Sequence, residues 1–146
     1  MPDIFIQVPE GAFDAEARGR MARAAVAVMT LVDRDAKGRE PTTWAVVDEI
    51  KVGHGRIDGH DPVAQTIPVL VHVYHLAGRL DAVARVEMAD LFQDICSEAR
   101  RAGERRQVAA SVMVAEVAEG WWGVDGQVLR LSAESGYGHS RPMVST

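Results

Sequence analysis

A single cysteine, Cys96, in 146 residues excludes an internal disulfide. Its spacing sets it among the apolar residues of a helix, where it reads as a small buried hydrophobe rather than a nucleophile. Positive charge is scarce: 16 Lys and Arg against 21 Asp and Glu leave a formal charge of −5. That balance argues against a nucleic-acid partner or an anionic membrane surface, both of which want clustered cations. The one basic run, Arg100-Arg101 to Arg105-Arg106, reads as the solvated end of a helix, where cations complement the dipole. No apolar run approaches the roughly 18 residues needed to span a bilayer, and no charged start leads into an apolar segment. The expectation is a cytoplasmic chain without a membrane partner. A Gly-rich phosphate loop, a Ser-His-Asp arrangement and a Cys-x-x-Cys pair are all missing, so no cofactor is expected. His72 and His75 stand three apart on an expected strand and point to opposite faces, which argues against a shared metal.

What the chain does have is the same unit twice. Gly11-Ala12-Phe13-Asp14 recurs as Gly78-Arg79-Leu80-Asp81, Met21-Ala22 as Met88-Ala89, Glu49 as Glu116, Gly53 as Gly120, and Ile57-Asp58-Gly59 as Val124-Asp125-Gly126. Every pair is separated by 67 positions, as Asp14 is from Asp81. One offset without insertions implies two copies of a supersecondary unit, about 2–66 and 67–131, that bury their apolar faces together in a single domain, followed by a tail over 132–146. The length and the 47% apolar fraction suit one real core. The copies also disagree: Pro2 faces Val69, Ala12 faces Arg79, and Gly55 faces Trp122.

Within a copy, residues 3–8 are rich in β-formers and stop at Pro9-Glu10-Gly11, which predicts a strand. Asp14 can cap a helix whose apolar face is Ala17, Met21, Ala24, Ala25, Val28, Leu31 and Val32. A polar stretch from Asp33 to Thr43 ends it, residues 44–50 read as a second strand, and 53–62 as a loop or short hairpin. The second copy repeats the order: a strand over 69–75, a helix capped by Asp81 with Met88, Phe92, Ile95, Cys96 and Ala99 on one face, and a strand over 111–117. Two βαβ units with right-handed crossovers predict an α+β fold: a four-stranded mixed sheet with two helices on one face. The third strand is apolar at both alternating phases, Val69, Val71 and Val73 against Leu70 and Tyr74, so its second face is expected to be covered by other subunits. The tail has no periodicity; disorder, or folding over a neighbouring subunit, are the two readings.

Pro2 is the sharpest single residue. Removal of Met1 would leave a secondary amine at the start of a strand, and a buried amino terminus is pushed below its usual range of roughly 7.7–8.0, where it can exchange protons near neutrality. Met-Pro is also simply a common start. Pro2-Asp3-Ile4-Phe5-Ile6, Pro9-Glu10-Gly11 and above all Glu116-Val117-Ala118-Glu119-Gly120-Trp121-Trp122-Gly123-Val124-Asp125-Gly126 resemble the tautomerase superfamily typified by 4-oxalocrotonate tautomerase. The likeness is to members in which two short subunits are fused, and it covers residues 2 to about 130.

The resemblance implies that Pro2 shuttles a proton on a keto acid, that Arg79 holds the acid's oxygens, and that Trp122 closes the pocket. It implies a homotrimer of fused chains, a small carboxylic-acid substrate, and no cofactor or metal. Arg79 suits a carboxylate chemically, because a planar guanidinium can donate two parallel hydrogen bonds; as a plain turn residue it would be solvated. Trp122 serves equally as packing. A second family arginine falls on Trp44 in one copy and Ser111 in the other, which would contact the substrate in its place and deprive a dicarboxylate of a cationic partner. Arg56, Arg130, His54, His72 and His75 are the other candidates to replace it. The pattern of the fused relatives that dehalogenate cis-3-chloroacrylate is not met, since a helix histidine falls on Met29 and an extra arginine on Leu76. The function implied is a tautomerase-like isomerase. The alternatives are a hydratase, dehalogenase or decarboxylase using the same proline, or a non-catalytic trimer that binds a small acid.

Overall fold

The computed structural model describes residues 2–33, 43–56, 59–60, 65–124, 126–130 and 138–140. Strand β1 (Asp3–Pro9) leads into helix α1 (Ala15–Val32) and strand β2 (Trp44–Ile50); strand β3 (Thr66–Leu76) leads into helix α2 (Ala82–Glu98) and strand β4 (Gln107–Val117). They form one sheet in the order β2-β1-β3-β4. Pairing is parallel inside each unit and antiparallel between β1 and β3, where the halves meet. The expected mixed sheet with both helices on one face is what the chain forms.

Local chemistry explains the repeated residues. Asp14 accepts from the Ala17 amide at 2.8 Å and Asp81 from the Ala84 amide at 2.7 Å, so each helix starts on a carboxylate that satisfies an otherwise orphaned N–H. Gly11 and Gly78 have φ of 75° and 80°, a region an L side chain rarely enters. Their amides donate to Glu49 and Glu116 at 3.0 and 3.2 Å, so each duplicated Glu ties a turn to the neighbouring strand. The core lies between sheet and helices: Ile4, Ile6 and Val8 alternate inward from β1, Ile67, Val69, Val71 and Val73 from β3, against Met21, Val28 and Met29 of α1 and Met88, Phe92 and Cys96 of α2. Leu31, assigned above to the inner face, is instead 67% exposed, and Met29 is buried in its stead.

Strands β3 and β4 begin earlier than composition suggests, β3 at Thr66 with Pro68 inside it. Proline is tolerated there because the β1–β3 ladder ends at Leu70, so the missing N–H costs no bond on that side. Beyond β4, strands β5 (Gly123–Val124), β6 (Gln127–Arg130) and β7 (Gly138–Ser140) make a small antiparallel sheet. Part of the aperiodic tail is therefore paired to its own chain; residues 131–137 and 141–146 lie outside the described residues. The sheet's other face carries Phe5, Trp44, Leu70, Tyr74 and Met113, all exposed in the single chain, with Phe5 edge-on to Trp44 at 6.4 Å and to Tyr74 at 6.0 Å. No described helix is long and apolar enough to cross a membrane.

Replacing Asp14 or Asp81 by Ala removes one cap each and lowers unfolding free energy by about 1 kcal/mol. The caps sit at opposite ends of the helical layer, so urea melts of the double variant should show the two losses adding.

Candidate active site

The antiparallel join decides what meets Pro2. Asp3 pairs with Tyr74, so the next step along β1 sets Pro2 level with His75. Pro2 is buried, and its carbonyl accepts the Trp44 amide at 3.1 Å, tying it to the first residue of β2. Helix α1 runs back along the sheet and ends at this same edge, with Asp33 as its C-terminal cap.

There the chain builds a buried charged cluster. Arg79 Nη2 lies 3.1 Å from Asp33 Oδ1 and 3.3 Å from Oδ2, so one guanidinium nitrogen spans both carboxylate oxygens. His75 Nε2 lies 3.3 Å from Asp33 Oδ2, and its Nδ1 is 3.2 Å from the Leu76 carbonyl. The Asp33 and His75 side chains are fully buried and that of Arg79 is 7% exposed. Burial pushes the Asp33 carboxyl up, but the contacts from His75 and Arg79 outweigh it and hold it below its usual range. Asp33 was read from sequence as the start of a polar loop. The signal available there was an acidic residue at a helix C-terminus, the unfavourable sign for the dipole, which calls for a compensating cation.

The pseudo-equivalent positions show how one-sided the cluster is. Counting 67 residues, His75 corresponds to Val8, Arg79 to Ala12, Pro2 to Val69 and Asp33 to Arg100. Val8, Ala12 and Val69 are core residues, and Arg100 donates to the Ser97 and Arg106 carbonyls. Polar groups are gathered at one of two related ends, the one that Pro2 begins.

Of the residues singled out from sequence, the fold brings Trp44 and Arg79 to the Pro2 end. Trp122, half-buried, follows β4 where that strand ends beside β3, at the same end. Ser111 is apart: it pairs with Leu70 in mid-sheet, five residues from the His75 level, roughly 16 Å at ~3.3 Å per residue, and is exposed on the bare face. His72 shares that face, whereas His75 points into the cluster. His54 and Arg56 follow β2, which runs parallel to β1, and so sit at the opposite end. The Arg130 side chain lies outside the described residues. Burial pushes the Cys96 thiol up to about 12, which leaves it inert as a nucleophile. In the basic run, Arg100 caps carbonyls and Arg106 pairs with Glu104 at 2.7 Å, so both serve the turn between α2 and β4.

No family model and no curated protein matches the chain. Solved structures do. Native fused 4-OT superposes with a TM-score of 0.68 at 13% identity, covering 86% of this chain and 94% of that one. A symmetric trimer of fused 4-OT gives 0.65 at 16% identity, covering 91% and 97%. Pt0534 inactivated by 2-oxo-3-pentynoate gives 0.64 at 14% identity, covering 85% and 93%. The class is thus an α+β protein of two fused βαβ units. More particularly, the chain has the tautomerase-superfamily fold in its fused, two-repeat form.

Arg79→Met strands the buried Asp33 carboxylate and should lower stability at pH 7 by about 3 kcal/mol. Because the native Asp33 carboxyl is held low, the pair's contribution is fully present above the ordinary carboxylate range and is lost as pH falls through the native value. Urea melts should therefore show the gap between wild type and Arg79→Met holding from neutrality down to the ordinary carboxylate range and narrowing only below it.

Proposed function

We propose that the protein is a cofactor-free isomerase of the tautomerase type, acting on a small α-keto or enol carboxylic acid. The observation that carries this reading is the one-sided gathering of His75, Arg79 and Asp33 at the sheet end that begins with Pro2, in a fold otherwise duplicated. Once Met1 is removed, the Pro2 nitrogen is a secondary amine on a buried strand start at the same sheet end as the Arg79 guanidinium. Both features favour its neutral form, the form that can take a proton from carbon and return it to the neighbouring position. Arg79 orients the carboxylate or carbonyl oxygen and Trp122 supplies the wall, while Trp44, on the bare face with Phe5, joins it only across a subunit contact. Low dielectric at such a site strengthens the pull of the guanidinium on an oxygen that gains charge as the enol forms.

The assembly proposed is a homotrimer. A bare sheet face holding Phe5, Leu70, Tyr74 and Met113 is a large apolar surface for a lone chain, and fused 4-OT structures are trimers. Trimerisation would cover that face, and it offers a route by which Ser111, remote from Pro2 in its own chain, reaches a neighbour's site.

The test is ketonization of enol carboxylates by purified protein whose intact mass shows loss of Met1. Pro2→Ala should reduce kcat by about 10²–10⁴-fold, the usual scale for a positioned base. Arg79→Ala should lower kcat/KM. Equal rates in all three proteins would remove the reading. Retention of Met1, which turns the nitrogen into an amide, would do the same. The compound 2-oxo-3-pentynoate should add its mass to the peptide beginning at Pro2 and abolish activity. In solution the protein should have three times the mass of one chain.

A further inference from the structure

We propose that Asp33 sets the charge class of the ligand: by holding the Arg79 guanidinium from behind, it restricts the Pro2 end to acids with one carboxylate. The inference rests on the site assignment above and deepens it. Three observations carry it. Asp33 is a fully buried carboxylate at a helix C-terminus, where the dipole disfavours it, so its presence there is held by its partners rather than by the helix. Its contacts are to Arg79, at 3.1 and 3.3 Å, with His75 closing the other side at 3.3 Å. The two positions where the family likeness expects a second arginine hold Trp44 and Ser111, and among the described residues Arg56 and Arg100 are carried to the opposite end of the sheet.

The electrostatics follow from those contacts. A lone guanidinium in a buried site would welcome a dianion, since each added negative charge gains from it. Paired with Asp33, Arg79 presents a nearly neutral ion pair with directed N–H groups, and a second carboxylate on the ligand meets the field of Asp33, beside which the described residues place no further cation in contact. Uncompensated like charge in a desolvated site is expensive, whereas an amide, ester or aryl group at the same position of the ligand is tolerated.

The experiment uses fumarate and its monoamide, fumaramate, which share a shape and differ by one charge. Their binding to the Met1-processed wild type and to Asp33→Asn is measured by calorimetry or NMR titration, together with ketonization activity. Wild type should bind fumaramate at least as tightly as fumarate. Asp33→Asn should move the ratio of the two affinities toward fumarate by about tenfold, the worth of ~1.4 kcal/mol. Tighter binding of fumarate by the wild type overturns the inference, as does a folded Asp33→Asn with an unchanged ratio, or failure of both probes to bind at millimolar levels. If Asp33→Asn does not fold, the wild-type ratio decides. Activity separates the two claims. An active enzyme that prefers fumarate keeps the proposed function and loses this inference, while an inactive protein with the expected charge preference does the reverse.

Discussion

Everything at the candidate site depends on the antiparallel pairing of β1 with β3. Each βαβ unit alone would place its strand start and its post-strand turn at opposite edges of its sheet. Joining two units through their first strands, in opposite directions, sets the beginning of one copy beside the end of the other. Pro2 from the first half thereby comes level with His75, which precedes Arg79 by one short turn in the second, and α1 delivers Asp33 to the same end. The register from Asp3↔Tyr74 to Gln7↔Leu70 is fixed by burial on the helix side, since a slip of one residue would turn Ile4, Ile6 and Val8 away from the core.

A duplicated unit makes two equivalent ends, and this chain has specialised one of them. At the other end Val8, Ala12 and Val69 simply extend the core. The contrast matters because buried charge is costly unless paired, and apolar residues of like volume serve stability as well or better. A cluster of Asp, His and Arg at one end of an otherwise apolar layer is thus poorly explained by folding alone. Its partners compensate one another well enough for the carboxyl of Asp33 to stay below its usual range despite burial.

Much of the fold was legible because it is written locally. Asp14 and Asp81 announce the helix starts, the β-formers over residues 3–8 and the run over 44–50 announce strands, and an unbroken offset of 67 announces the duplication. The errors fall where the decisive contact is remote in sequence. Leu31 fits the helical period but lies outside the strip that the sheet covers. The start of β3 was concealed by Pro68, harmless only because β1 no longer pairs there. The pairing of Gly138–Ser140 with β6 leaves no periodic mark in so short a strand. The candidates Pro2, Arg79, Trp44 and Trp122 were put forward by comparing the copies and by family likeness, but the Asp33–Arg79 pair spans 46 residues between a helix end and a turn. Sequence alone gave no reason to join a loop aspartate to that arginine. Ser111, assigned to the substrate by alignment of motifs, lies far along the sheet from Pro2 in the same chain, so any role for it needs a second chain.

The central claim is that the amino-terminal proline nitrogen and the Arg79 guanidinium act on one another across the join between the halves. The most direct measurement is the titration of that nitrogen by ¹⁵N NMR in Met1-processed protein, wild type against Arg79→Ala. A midpoint below the usual roughly 7.7–8.0 of an amino terminus, which rises when Arg79 is removed and Asp33 is left behind, is the predicted result. A midpoint within or above that range, or one that ignores the loss of Arg79, would contradict it.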